Sequence, residues 1–155
     1  MMEHQALAIH SQVTLREITK DTVWSICKLF VREDQTQFVE PNAISISEAY
    51  FSKEAWFRAI YAEETPVGFA MLEEHPAKAS YFLWRFMIDA KFQKFGFGRQ
   101  AIELLIEHVK SKPNTTELLT SVVQTEGGPQ GFYEKLGFEL TGENDNGEAV
   151  MRLRF

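Results

Sequence analysis

The chain has 155 residues, 45% of them hydrophobic, with 13 Phe, 4 Tyr and 3 Trp. That is ample for one core, so residues 1–155 read as a single domain. A net charge of −6 with no run of Lys or Arg argues against a nucleic-acid partner. The lone Cys27 excludes an internal disulfide, and His4, His10, His75 and His108 show no ligand spacing, so no metal is expected.

In chain order, residues 1–10 read as a flexible tail without the basic and apolar regions of a signal peptide, and no stretch reaches membrane-spanning length. A cytoplasmic protein without a membrane partner is expected. Val13 to Glu17 alternates as a first strand. Asp21 suits a helix cap, with Val23, Trp24, Cys27, Phe30 and Val31 as the apolar face. Pro41 is expected to stop any helix, and Ser45 or Ser47 to cap a second short one through Phe51. The loop between them, Phe38-Val39-Glu40-Pro41-Asn42, has the mixed composition of a specificity loop.

Trp56 to Tyr61 and Val67 to Glu73 form a hairpin about Glu63-Glu64-Thr65-Pro66. The aromatic run from Tyr81 to Asp89 is the central strand. A helix follows over 98–110, with Ala101, Ile102, Leu105 and Val109 on one face and Pro113-Asn114 beyond its end. Glu117 to Val123 is a strand parallel to the central one. Pro129 starts a short helix that Gly137 ends, and Phe138 to Thr141 and Ala149 to Phe155 pair about Asn144-Asp145-Asn146-Gly147. The order β-α-α-β-β-β-α-β-α-β-β implies an α/β fold. The exposed aromatics expected in residues 50–57 and the last hairpin would suit a homodimer.

Gln93-Lys94-Phe95-Gly96-Phe97-Gly98 lies where the central strand feeds a helix. Such a turn aims backbone N–H groups at one anion, and the helix terminus adds partial positive charge. Glycine permits positive φ and close approach of a phosphate. The turn lacks the Lys-Ser/Thr of a P-loop and the third glycine of a dinucleotide fingerprint. By itself it fits a bare tight turn as well as a phosphate site.

Three features coincide in one chain: Gln93-x-x-Gly96-x-Gly98 after the aromatic strand, a parallel strand one helix later, and Phe132-Tyr133-Glu134-Lys135-Leu136-Gly137-Phe138. This combination resembles the GCN5-related N-acetyltransferase (GNAT) superfamily. Phe38 to Asn42, Trp84 to Asp89 and the ending Gly147-Glu148-x-Val150-Met151-x-Leu153 resemble its bacterial spermine/spermidine (diamine) acetyltransferases. The resemblance implies a mixed, mostly antiparallel sheet of six to seven strands flanked by helices, and direct transfer of an acetyl group from acetyl-CoA to a small primary amine. It places the pantetheine arm along Phe86, Met87 and Ile88. It places the pyrophosphate on the backbone of Gln93, Lys94, Phe95, Gly96, Phe97, Gly98 and Arg99. Tyr133 matches the tyrosine near the thioester sulfur. Glu126 stands where many members carry Asn, and Trp84 where some polyamine enzymes carry a carboxylate.

Deprotonating an alkylamine of pKa near 10.4 at neutral pH costs about 4–5 kcal/mol, which a carboxylate acting through water can offset. Glu40, Glu73 and Glu74 are the candidate acids, with Trp84 beside them as a substrate contact. The Tyr133 phenol, at an ordinary pKa of about 10, is close enough to a thiol at about 8.5 to protonate the leaving group. Another amine (an amino sugar, an antibiotic or a protein N-terminus) or a non-catalytic acyl-CoA sensor are the alternatives.

Overall fold

The computed structural model describes residues 7–155. The expected element order is present: β1 (Val13–Arg16), α1 (Val23–Cys27), α2 (Asn42–Tyr50), β2 (Ala55–Ala62), β3 (Thr65–His75), β4 (Ser80–Ile88), α3 (Phe97–Lys110), β5 (Glu117–Val122), α4 (Gln130–Lys135), β6 (Glu139–Asp145) and β7 (Glu148–Arg154). Short 3-10 turns add Glu33–Gln35, Pro76–Lys78 and Ala90–Phe92. The described strands make one seven-stranded sheet in the order β1-β2-β3-β4-β5-β7-β6. Every neighbouring pair is antiparallel except β4 with β5.

The sheet is covered on both faces, and β3 shows how the sequence achieves this. Ala70 and Leu72 join the cluster beneath α3, while the alternate Phe69 and Met71 join the cluster beneath α1 and α2. Period-two alternation sends successive side chains to opposite faces. Helix α3 answers with a 3.6-residue stripe: Phe97, Ala101, Ile102, Leu105 and Val109 are all fully buried. Each large member of that stripe contributes about 1.5–3 kcal/mol of transfer free energy.

Three expectations for the first helical region are corrected. Asp21 is exposed and does not cap α1; Thr22 holds the N-cap position and its hydroxyl accepts from the Thr19 N–H at 2.9 Å. The buried face of this segment is Ile26 and Leu29, while Trp24 and Phe30 are 75% and 54% exposed. As expected, no helix runs through Pro41, which stands at φ −55° immediately before α2 and so also begins that helix. A proline needs no N–H donor there and its ring presets φ. Ser45 lies inside α2, fully buried, so it caps nothing. The inward face of α2 is Asn42, Ser45 and Ala49, too polar for apolar periodicity to reveal. Asn42 Nδ2 donates to Ile26 O at 2.9 Å and ties α2 to α1.

Of the expected tail, residues 1–6 lie outside the described residues. Ala8 and Ser11 close a turn, with Ser11 N donating to Ala8 O at 2.9 Å, and Leu7 packs against the core. Strand β6 runs beyond Thr141 to Asp145, with a register shift between Leu140 and Asn144. Asn146 and Gly147 take φ 50° and 84°, the left-handed pair of a type I′ hairpin turn. Tyr50 and Phe51 are 85% exposed and pack edge to face on each other, whereas Trp56 and Phe57 are half-buried. No helix among the described residues is long and apolar enough to cross a membrane.

Candidate active site

Strands β4 and β5 pair only at Phe82 with Leu119 and Leu83 with Thr120, and then separate. Against β3, Met71 faces Arg85 and Leu72 faces Leu83, so Trp84 is an inserted bulge residue. The bulge turns β4 away from β5 just where their ladder ends. A cleft of about 950 Å³ opens there, with residues 82–88 of β4 along one wall and Thr120, Ser121 and Val123 along the other. Beyond Leu83, the β5-side backbone groups of β4 are free of any strand partner.

At the C-terminal end of β4 the cleft meets the glycine turn. Gly96 has φ +76°, the left-handed region glycine favours, and a Cβ there would meet nothing within 4 Å. The first α3 donor that reaches a carbonyl of the same turn is Gln100 N, at 3.3 Å from Gly96 O. The N–H groups of Phe97, Gly98 and Arg99 therefore precede the intrahelical ladder and point out of the helix terminus. The turn is held from below. Gln93 Nε2 donates to Ile88 O at 2.9 Å and to Gln35 Oε1 at 2.7 Å. Asp89, 5% exposed, accepts from Lys91 N through Oδ1 and from Phe30 N through Oδ2, both at 2.9 Å.

Removing that carboxylate strands two N–H donors. Asp89→Ala should cost about 2–3 kcal/mol. A thermal melt should show Tm falling by roughly 5–10 °C, and an unchanged Tm would remove Asp89 from the scaffold of the site.

Tyr133 reaches the cleft from α4, whose start Pro129 and end Gly137, at φ +100°, fall as the spacing predicts. It is 6% exposed and sits edge to face against Phe132 and Phe138, with ring centroids 5.2 and 5.4 Å away. Burial pushes the phenol well above the ordinary tyrosine range. Thr120, 2% exposed, donates from Oγ1 to Leu83 O at 3.0 Å on the last rung before the strands part.

Phe86, Met87, Ile88, Gln93, Gly96, Gly98, Arg99, Tyr133, Trp84 and Glu40 all line this cleft. Lys94 is exposed outside the lining, and the rings of Phe95 and Phe97 stack on each other at 5.3 Å, Phe97 in the core. For those two, only backbone groups are available to an anion. Glu73 and Glu74 are corrected as candidates for the amine, because neither lines the cleft. Glu73 pairs with His75 at 2.8 Å, and Glu74 pairs with His108 of α3 at 2.7 Å, where the imidazole stacks on Trp56. Glu126 is exposed and outside the lining.

The acids that do line the cleft besides Glu40 are Asp145 and Glu148, flanking the last hairpin turn. Arg85 also lines it, with Nη2 donating to Glu48 Oε1 at 2.9 Å, which leaves that cation paired. Sequence reasoning passed over Asp145, Glu148, Thr120 and Gln35. Thr120 left a signal: it is the one polar residue in the buried stripe Leu118, Thr120, Val122. Gln35 and the hairpin acids left none, since their position depends on distant strands.

The pattern of residues 15–138 matches the family model described as "Acetyltransferase (GNAT) family". The spermine/spermidine N(1)-acetyltransferase of Bacillus subtilis (strain 168) is 28% identical over 149 residues, covering 90% of this chain and 96% of that one. Among solved structures, the PaiA N-acetyltransferase from Thermoplasma acidophilum, in complex with coenzyme A, superposes with TM-score 0.70 at 16% identity, over 93% of this chain and 99% of that chain. A domain from Methanocaldococcus jannaschii DSM 2661 gives TM-score 0.76 at 14% identity, over 94% and 99%. The matched pattern covers most of the sheet and both cleft walls, and on it the chain belongs to the acetyltransferase (GNAT) family of N-acetyltransferases.

Proposed function

We propose that this chain transfers an acetyl group from acetyl-CoA directly to a primary amine of a small molecule, with a diamine or polyamine as the first acceptor to test. The observation that carries the reading is the opening between β4 and β5. It has free backbone edges, a glycine turn and a helix N-terminus at one end, and Glu40, Asp145 and Glu148 among its other walls. These residues fit the coenzyme: the turn has room for a phosphate at Gly96, and the bare edge of residues 86–88 suits an extended amide-bearing arm.

Bound acetyl-CoA supplies an activated acyl group on a thioester. The chain supplies the rest. A backbone N–H of β4 near Met87 polarises the carbonyl, as a fixed dipole in a partly dry site. Partial desolvation of the ammonium and a water-relayed path to a cleft carboxylate favour the neutral amine. The buried Tyr133 phenol stays protonated and donates to the departing sulfur. Each role is an assignment resting on the family resemblance and on the side chain's place in the cleft. The relative's printed name, spermine/spermidine N(1)-acetyltransferase, supports the polyamine choice.

Thiol release from acetyl-CoA, measured with and without a panel of spermidine, spermine, diamines, amino sugars and N-terminal peptides, tests the reading. Release that depends on amine is expected, strongest with the polyamines. Release with amino sugars or peptides alone would move the acceptor, and coenzyme binding without turnover on any amine would favour a sensor. Neutralising Glu40, Asp145 and Glu148 together should raise the polyamine KM about tenfold while leaving the acetyl-CoA KM little changed, since partly exposed charges each contribute modestly. Added salt should act in the same direction. A polyamine KM indifferent to both would count against a polycation.

A further inference from the structure

Residues 31–41 line the cleft with Gln35, Phe38, Val39 and Glu40 among them, and in the proposed function they face the acceptor. They contain one 3-10 turn, Glu33–Gln35, and little other regular structure. Their attachments to the coenzyme side are few. At the start, Phe30 N reaches Asp89 Oδ2 and Ala90 N reaches Phe30 O, each at 2.9 Å. Further along, Gln35 Oε1 accepts from Gln93 Nε2 at 2.7 Å. Among the described residues, no other hydrogen bond joins residues 31–41 to residues 89–98.

Gln35 stands at the centre of the loop's own order. Its Oε1 also accepts from Arg32 N at 3.2 Å, and its carbonyl accepts from Phe38 N at 2.9 Å. Gln93 in turn grips Ile88 O at 2.9 Å, so one amide spans the end of β4, the glycine turn and the acceptor loop.

We propose that Gln35 is a positioning residue that couples the two substrates: a coenzyme held on the glycine turn orders the acceptor loop through the bond from Gln93 to Gln35. The inference rests on the proposed coenzyme site. The physical reason is one of shared ordering. Phosphates bound to residues 93–98 fix the Gln93 backbone, a fixed Gln93 holds Gln35, and Gln35 holds both Arg32 and Phe38. An acceptor then meets a loop whose ordering entropy has already been spent. By linkage, the acceptor strengthens coenzyme binding by the same factor. Glycine-turn and loop thus act as one unit although 58 residues separate Gln35 from Gln93.

Amide hydrogen exchange of residues 31–40, with and without saturating CoA, tests this without knowledge of the acceptor. In the wild type CoA should slow exchange there by about fivefold or more, the scale of ordinary coupling. Gln35→Met keeps the length of the side chain but not the acceptor oxygen. It should bind CoA and lose that slowing. Gln35→Glu keeps an oxygen for both Arg32 N and Gln93 Nε2 and should retain it. In kinetics, Gln35→Met should raise the KM for spermidine about fivefold with kcat little changed. A purely structural Gln35 would loosen the loop equally with and without CoA. Bound CoA that leaves residues 31–40 unchanged in the wild type, or slowing that survives in Gln35→Met, overturns this inference alone. Failure of the wild type to bind CoA overturns the coenzyme site and this inference with it.

Discussion

Tyr133→Phe is expected to lower kcat about 100-fold while leaving the fold and the affinity for acetyl-CoA in place. The ring that packs between Phe132 and Phe138 is retained, so only the proton donor is lost. General acid catalysis by one side chain is worth roughly 10²–10⁴-fold, and a thiolate is a tolerable leaving group without help, which sets the low end. The structure changes what pH should do. On ordinary values phenol and thiol lie close enough for easy transfer, but burial raises the Tyr133 phenol well above that range. A raised pKa keeps the acid form present at higher pH. Wild-type kcat should therefore climb on its acid side, as the amine and its base deprotonate, and show no alkaline fall up to about pH 10. Tyr133→Phe should follow the same shape at a lower level. The buried phenol is also a weaker acid than sulfur's conjugate, so donation depends on charge developing on sulfur in the transition state. A Tyr133→Phe enzyme turning over at the wild-type rate would leave Tyr133 as packing. An alkaline fall near pH 9 that only the wild type shows would contradict the buried, raised phenol.

Gly98→Val is expected to weaken CoA binding at least 100-fold in a protein that still folds. Sequence alone suggests that the new side chain would fill a phosphate nest. The structure gives a different obstacle: a Cβ at Gly98 would lie 3.3 Å from the Phe132 ring and 3.6 Å from Ile88 Cγ1. Valine adds two methyl groups to a contact already tight for one. Phe132 stacks on Phe86 at 6.0 Å and touches Tyr133 edge to face, so pushing it displaces α4 and the phenol together. Overpacking of this kind costs about 1–3 kcal/mol, within the tolerance of most domains. Gly96→Val differs in cause, since space is open there and the penalty is a β-branched residue at φ +76°, about 1–2 kcal/mol. Calorimetry with CoA beside a thermal melt separates binding from folding. Unchanged affinity in folded Gly98→Val would sink the placement of the coenzyme on this turn.

The sequence by itself determined the element order, the glycine turn between strand and helix, and the tyrosine helix from Pro129 to Gly137. Each rests on near neighbours: two-residue alternation in β3, a 3.6-residue stripe in α3, and glycine or proline where φ demands it. Local signals also misled where polarity masked burial. The inward face of α2 is Asn42, Ser45 and Ala49, and the helix begins at Asn42 behind Pro41 rather than at a serine cap. Only the tertiary structure decided which acids face the cleft. Glu73 and Glu74 turn to His75 and His108, while Asp145 and Glu148 arrive from the far hairpin. It also placed Thr120 beside Tyr133 and Gln35 against Gln93. Such pairings join residues far apart in the chain, and they follow from strand register, from the bulge at Trp84 and from the parting of β4 and β5. Register is set by long-range packing of whole strands, and a one-residue slip would turn the strand residues among them, Glu73, Glu74, Thr120, Asp145 and Glu148, to the opposite face.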